Sequence, residues 1–126
     1  MLVCATMKIR YPYLFAALAW GMLIVYLSSR PGPSLPPLPH PVDWIVHCGA
    51  FFGFGYLLCL AIGSPRYFWI AALLTSLYGA SDEIHQHFTP GRSSTVGDWL
   101  ADTTGGVAAS VAWYLAWRQG RNSKDG

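Results

Sequence analysis

The chain has 126 residues, of which 53% are hydrophobic and only 11% are charged. A soluble domain carries about a quarter charged residues, so this composition excludes an ordinary water-soluble globular protein. The length allows one domain, and the net charge of +2 provides no basic patch of the kind that binds nucleic acid. We therefore interpret residues 1–126 as a single membrane domain and expect no nucleic-acid partner.

Four apolar segments follow one another along the chain. They cover residues 11–27, 44–62, 67–88 and 96–117, and each has about the 20 residues that cross a bilayer core as a helix. The third segment becomes polar near its end, and the fourth is polar only in its first two turns. The pattern predicts an all-α fold, in which four transmembrane helices form an integral membrane bundle.

Short connections join the predicted helices. Residues 28–42 hold six of the nine prolines, which predicts an extended segment outside the hydrocarbon. Tight turns are predicted at 63–66 and 89–94, and the polar tail after Arg118 is expected to fray. The cysteines have no metal-binding spacing and are interpreted as small apolar residues: Cys4, Cys48 and Cys59.

Basic residues are unevenly distributed between the two sides of the predicted bundle. Six of the eight fall on the side of the termini, and only Arg30 and Arg92 fall on the other. Because Lys and Arg accumulate on the cytoplasmic side, we predict that both termini and the 63–66 turn are cytoplasmic. Five of the six acids fall at the outer ends of their helices: Asp43, Asp82, Glu83, Asp98 and Asp102.

Three of the predicted helices each carry two polar residues at a spacing that puts both on one helix face. The pairs are Asp43 with His47, Glu83 with Gln86, and Asp98 with Asp102. Charged groups in a membrane cost several kcal/mol unless they face the bundle interior or water. We therefore expect the three pairs to point at one another and to form a ligand-binding site, which Arg92 closes from its loop.

Small residues follow the same helix faces below the polar pairs. Because small residues let helix backbones approach closely in lipid, they predict a tight helix contact beneath the site. The residues are Gly49, Gly53, Gly79, Gly105, Gly106 and Ala109.

Some of the polar residues have simpler interpretations. Asp43 can cap its helix, and Thr95 with Asp98 has nearly the spacing of a capping box. No cap explains Glu83 or Asp102, and acids within a membrane are functional candidates.

The remaining polar residues near the predicted site also have alternatives. His85 and His87 lie about 200° apart on a helix, so only one can face the site, and His87 is favoured. His85 and Asp82 are expected to reach the lipid headgroups. Arg92 can contact a lipid phosphate or pair with Glu83 or Asp98.

The surplus of acids can be balanced by a metal ion, a cationic ligand or shared protons. A divalent cation would use His47, Glu83, Asp98 and Asp102, although no metalloprotease-like signature is present. An acid–base mechanism would use Glu83 as base together with the Asp43–His47 pair. These three are the catalytic candidates.

Residues 82–93, DEIHQHFTPGRS, and 98–106, DWLADTTGG, resemble the VanZ-like family, and Asp43 with His47 fits the same pattern. The resemblance covers residues 10–117. It departs at Asp102, where many relatives have Asn, and after Asp43, where Trp replaces Lys. It implies a small multi-helix membrane protein of the bacterial cell envelope. The founding member of the family is associated with low-level teicoplanin resistance, but the resemblance implies no particular reaction.

Three functions follow as alternatives. The outer site can engage the headgroup of a lipid, a lipid-linked wall precursor or a glycopeptide, with a link to antibiotic resistance. The protein can instead be a membrane-embedded hydrolase or transferase that acts on a lipid by acid–base or metal-assisted chemistry. Finally, it can be a structural or partner-binding subunit, in which a buried polar network fixes the helix register. The oligomeric state is open in all three.

Overall fold

The computed structural model describes residues 7–32 and 38–125. Within these ranges the chain forms four α-helices, which confirms the all-α prediction. They are α1 (Tyr11–Ser28), α2 (Val42–Ile62), α3 (Phe68–His87) and α4 (Val96–Asp125). Residues 33–37, the middle of the proline segment for which an extended conformation is predicted, lie outside the described residues, as does Cys4.

The last helix is longer than predicted. It continues to Asp125 instead of ending at residue 117, so the prediction of a frayed tail is wrong. Residues 118–125 are polar but contain no proline, and Arg and Lys are good helix formers. The Arg121 guanidinium also lies 5.4 Å from the centre of the Trp117 ring, one turn earlier.

Helices that are consecutive in the chain run antiparallel, so α2 and α4, which pack against each other, run parallel. The Arg10 amide at the start of α1 donates to the Ala61 carbonyl near the end of α2, at 2.8 Å. Ile62, Ala71 and Trp113 belong to one apolar cluster, which places the end of α2, the start of α3 and the second half of α4 together. Both described ends of the chain therefore lie at this end of the bundle, and the polar residues lie at the other.

Glycines allow α2, α3 and α4 to meet closely below the polar end. An added Cβ would lie 2.3 Å from an α2 carbonyl oxygen at Gly105, 2.5 Å from an α3 threonine side chain at Gly106, and 2.9 Å from the Asp102 side chain at Gly79. Real side chains do not tolerate such distances, so these positions require glycine. Together with the fully buried Ala109, they form the predicted small-residue contact.

Two other glycines do not take part in this contact, so the prediction is wrong for them. Gly49 is exposed and an added Cβ there would meet nothing within 4 Å, while at Gly53 it would lie 3.0 Å from Trp20 of α1. The face of α2 that packs against α4 lies about 100° around the helix axis from Gly49, which is the rotation between successive residues. Gly55 lies on this face, and an added Cβ there would lie 3.2 Å from the Gly106 Cα.

The helices differ in their fitness to cross a membrane. By length and composition, α1 and α2 are long and apolar enough, whereas α3 and α4 do not reach the same average hydropathy. Polar residues lower the average of α3 and α4, and these residues are buried: Thr75, Asp82, Glu83, Gln86, Asp98, Asp102 and Ser110. The outward surface of the same two helices carries exposed large apolar side chains: Leu73, Leu74, Leu77, Ile84, Leu100, Val107, Val111 and Leu115.

Candidate functional site

His47 of α2 is the centre of a group of acidic side chains from three helices. Its Nδ1 lies 2.9 Å from Asp102 Oδ1 and 3.9 Å from Glu83 Oε1, and its Nε2 lies 3.8 Å from Asp43 Oδ1. Asp98 can also approach it, because ligand atoms of Asp43, His47 and Asp98 all lie within 4.8 Å of one another. We call these five residues the acid cluster.

Asp102 is the most deeply placed member of the acid cluster. It lies on the second turn of α4, its side chain is fully buried, and it packs against Gly79 of α3. One carboxylate oxygen shares a hydrogen bond with His47, and the other has no hydrogen-bond partner. The absence of a Cβ at position 79 is therefore what lets a carboxylate fit between α3 and α4.

A second polar group, the Gln86 network, lies beside the acid cluster and reaches α1. The Ser28 hydroxyl and the Gln86 amide each donate to Asp82 Oδ2 at 2.9 Å. The Gln86 amide oxygen accepts a hydrogen bond of 3.3 Å from the Arg92 guanidinium. Predicted site residues Gln86 and Arg92 thus lie in this network and do not hydrogen-bond the acid cluster.

Sequence reasoning missed two members of the Gln86 network. Asp82 is 4% exposed, so the prediction that it reaches the headgroups is wrong. Its spacing of four residues from Gln86 could have identified it. Ser28 ends a different helix, and no sequence spacing relates it to Asp82.

Asp98 has a capping role as well as a place in the acid cluster. The Thr95 hydroxyl donates to Asp98 Oδ2 at 2.7 Å, and the Asp98 amide donates to Thr95 Oγ1 at 3.1 Å. This reciprocal pair satisfies donors at the start of α4. The capping interpretation is correct, yet the second carboxylate oxygen of Asp98 is buried without a partner.

Asp43 does not cap α2. Pro41 is the N-cap residue and no side-chain cap hydrogen bond forms, so the capping interpretation of Asp43 is wrong. Its carboxylate lies instead between two histidines, 3.8 Å from His47 and 4.0 Å from His40. Asp43 is half-buried and is the member of the acid cluster closest to the surface.

The two histidines of α3 lie outside the acid cluster. His85 shares a hydrogen bond of 2.9 Å with the Ser29 hydroxyl. His87 is exposed, packs edge-on against Phe88 and lines a groove between α3 and α4 beside Glu83, so it does not face the acid cluster. Arg92 has no acidic partner within 4.0 Å among the described residues, which also rules out its predicted pairing with Glu83 or Asp98.

Two large cavities adjoin these polar groups within the described part of the chain. The first, of about 380 Å³, is lined by the polar side chains of Asp43, His47, Gln86, Arg92, Ser93 and Asp98 and by apolar side chains from Leu27, Leu38 and Val46. We call it the polar cavity. The second, of about 480 Å³, is a mainly apolar groove between α3 and α4, lined by Glu83, Ile84, Phe88, Val96 and Trp99 among others. We call it the lateral groove.

The acids carry unbalanced charge. Five buried carboxylate oxygens have no hydrogen-bond partner among the residues described: Asp82 Oδ1, both oxygens of Glu83, Asp98 Oδ1 and Asp102 Oδ2. No Lys or Arg in the described part of the chain lies within 4.0 Å of any of them. A buried polar atom without a partner is unfavourable, so these oxygens are suited to binding a proton, a cation or a ligand donor.

We expect the Thr95→Ala substitution to lower the free energy of unfolding by about 1 kcal/mol, the usual effect of losing a cap. Thermal unfolding in mild detergent would measure it. Thr104→Ala is the matched control, because the Thr104 hydroxyl only donates to the carbonyl of Leu100 within α4. Equal stability of the two variants would show that the Thr95–Asp98 pair does not stabilise the helix start.

The comparison with known proteins agrees with the sequence pattern. The sequence model of the VanZ/LLP1 family matches residues 13–117, most of the chain, which confirms the predicted family. No curated protein and no solved structure matches the chain.

Proposed function

The chain belongs to the VanZ-like family, and from this premise we propose that it is a multi-pass protein of the bacterial cytoplasmic membrane whose outer-face site binds a polar headgroup. The headgroup belongs to a lipid or a lipid-linked envelope precursor. The observation that carries the proposal is the polar cavity, which the Arg92 guanidinium shares with Asp43, His47 and Asp98.

The distribution of side chains supports four membrane spans. The large apolar side chains of α3 and α4 point outward while their acids and amide are buried. A helix that presents leucine to its surroundings and buries carboxylates fits lipid better than water. The low average hydropathy of α3 and α4 therefore reflects an inward polar face. Six basic residues at one end against two at the other support cytoplasmic termini.

Arg92 is the group best suited to contact the headgroup. Its guanidinium has only a 3.3 Å hydrogen bond to Gln86 among the described residues, which leaves most of its donors for a ligand. A guanidinium binds phosphate through paired hydrogen bonds. A phosphate-bearing headgroup in the polar cavity would thus contact Arg92, and an acyl or prenyl chain would occupy an apolar surface such as the lateral groove.

Native mass spectrometry of the purified protein tests this proposal. Delipidated protein would be titrated with phosphatidylglycerol, phosphatidylethanolamine and a polyprenyl phosphate. We expect Arg92→Gln to weaken binding of the preferred lipid by about tenfold or more, because a charge-assisted hydrogen bond contributes about 1.5–3 kcal/mol. Arg30→Gln is the matched control: Arg30 lies at the same end of the bundle but contacts Tyr26.

Equal affinities of the two arginine variants, or no lipid bound by the wild-type protein, would contradict the headgroup proposal. Displacement of a bound lipid by teicoplanin would indicate that the same site takes a glycopeptide, and would support a role in resistance.

An enzymatic function is the second candidate, and Glu83 supports it. Both oxygens of Glu83 are buried without a hydrogen-bond partner, one of them lies 3.9 Å from His47, and the residue lines the lateral groove. A carboxylate and an imidazole in that arrangement can exchange protons with a bound lipid. Release of product from a phospholipid or polyprenyl phosphate, abolished by His47→Ala, would establish a hydrolase or transferase.

A further inference from the structure

The unpartnered oxygens of the acid cluster are the feature that headgroup binding leaves unexplained. Glu83 is 7% exposed and Asp102 is fully buried, yet three of their four carboxylate oxygens have no partner. We propose that His47, Glu83 and Asp102 together bind one divalent cation of the zinc or manganese type. The site would join α2, α3 and α4 at the polar end of the bundle.

The spacing of the three side chains suits a metal ion. Ligands about 2.1 Å from a cation lie about 3.0 Å apart in octahedral geometry and about 3.4 Å apart in tetrahedral geometry. His47 Nδ1 lies 2.9 Å from Asp102 Oδ1 and 3.9 Å from Glu83 Oε1. The ligand atoms of His47, Glu83 and Asp102 all lie within 4.8 Å of one another, so a modest movement of the Glu83 side chain would bring its oxygen to the His47–ligand spacing that a metal ion requires.

The bound ion would replace a proton. The Nδ1 of His47 and Oδ1 of Asp102 now share one hydrogen, and a cation between them requires both atoms to offer lone pairs. The other ring nitrogen would then carry its proton towards Asp43, at 3.8 Å. A carboxylate on the far side of a metal-binding imidazole fixes the ring and makes it a stronger ligand.

The chemistry of the ligands restricts the ion. One imidazole nitrogen with two carboxylates favours Zn²⁺ or Mn²⁺ over Mg²⁺ and Ca²⁺, which prefer oxygen ligands alone. Two positive charges would also reduce the excess of buried negative charge. This proposal rests on the proposed function in one respect. The ligand that the cation would face is the phosphate of the headgroup, which Arg92 would also hold.

A second combination of residues, Asp43, His47 and Asp98, also brings three ligand atoms within 4.8 Å. It is the weaker site, because Asp98 already accepts two hydrogen bonds from Thr95 with one oxygen. Asp43 is also half-exposed, with 30% of its side chain accessible. The two candidate sites use different carboxylate ligands, so substitutions of those ligands distinguish between them.

The test measures metal binding by purified full-length protein in detergent without added lipid. Metal-free protein would be titrated with Zn²⁺ and with Mn²⁺ alone, and the bound metal would be counted by elemental analysis. We expect one ion per chain and release of a proton on binding. We expect Asp102→Asn to weaken the affinity by about 100-fold or more, because loss of a direct ligand costs at least as much as the roughly 10–100-fold lost with an outer-shell partner.

Asp82→Asn is the control, since Asp82 is neither a ligand in the proposed site nor a member of the acid cluster, and the affinity of this variant is expected to stay within about threefold of the wild type. Asp98→Asn distinguishes the two candidate sites: we expect it to weaken the affinity less than Asp102→Asn does, because Asp98 is a ligand only in the second combination. Circular dichroism would verify that each variant is folded. No bound ion in the wild type, or loss in Asp98→Asn with retention in Asp102→Asn, would overturn the proposal. Lipid titration of metal-free protein would show separately whether headgroup binding fails.

Discussion

Glu83→Gln is expected to abolish binding of the proposed cation while the protein stays folded. Glutamine has nearly the shape of glutamate but no negative charge, so it cannot balance a cation or accept a proton. The carboxylate it replaces has no hydrogen-bond partner in the described part of the chain. Its removal therefore eliminates no hydrogen bond. The lost attraction to His47 at 3.9 Å is offset by the desolvation cost that the buried charge no longer carries, so we expect the free energy of unfolding to change by less than about 1 kcal/mol. Native mass spectrometry and thermal unfolding would measure the two quantities.

For Asp82, the residue before Glu83, we expect the opposite result: lower stability and unchanged ligand binding. Asp82 accepts hydrogen bonds from Ser28 and Gln86, which tie α1 to α3. Asp82→Asn weakens both, because a charged acceptor becomes neutral, and it should lower the free energy of unfolding by about 2 kcal/mol. Ligand binding should persist, since Asp82 is outside the acid cluster and does not line the polar cavity.

The comparison of these two variants distinguishes a binding site from a structural network. Loss of binding in Glu83→Gln with intact stability, and the reverse in Asp82→Asn, supports the binding site. If Glu83→Gln instead unfolds the protein while ligand binding per folded molecule is unchanged, the acid cluster fixes helix register. The third function considered above, a structural or partner-binding subunit, would then be correct.

The Gly105→Ala substitution is expected to cause the largest loss of stability. An added Cβ would lie 2.3 Å from the Cys48 carbonyl oxygen and 2.9 Å from the Phe52 amide nitrogen. Both are backbone atoms, so no side-chain rotation relieves the clash and α2 and α4 must separate. Overpacking of a tight contact costs about 3 kcal/mol, and the separation would also displace His47 from Asp102.

Gly49→Ala is the control for Gly105→Ala, because it makes the same change in α2 where no atom lies within 4 Å. We expect it to leave stability unchanged or to raise it by up to about 1 kcal/mol, the helix preference of alanine over glycine. Unfolding by heat or SDS in detergent would measure both. Similar stabilities of the two variants would show that α2 and α4 do not meet at Gly105.

The sequence alone determined the secondary structure and the end of the bundle that holds the polar groups. Apolar segments of bilayer length predict helices because backbone groups in a nonpolar medium must pair within their own segment. Spacings of three and four residues then bring Asp43 next to His47 and place Asp102 one turn below Asp98. Such local regularities do not depend on how the helices pack. For the same reason the Thr95–Asp98 cap could be predicted.

Only the tertiary structure decided which faces meet. The rotation of α2 placed Gly55, and not Gly49, against α4, and no pattern within one helix fixes that angle. The packing of the helices also brought His47 of α2 to Asp102 of α4, 55 residues later, and joined Ser28 of α1 to Asp82 of α3 across 54 residues. Contacts of this kind depend on how side chains pack between helices. The sequence determines that packing only through all of its contacts together, so no short pattern within one helix predicts it.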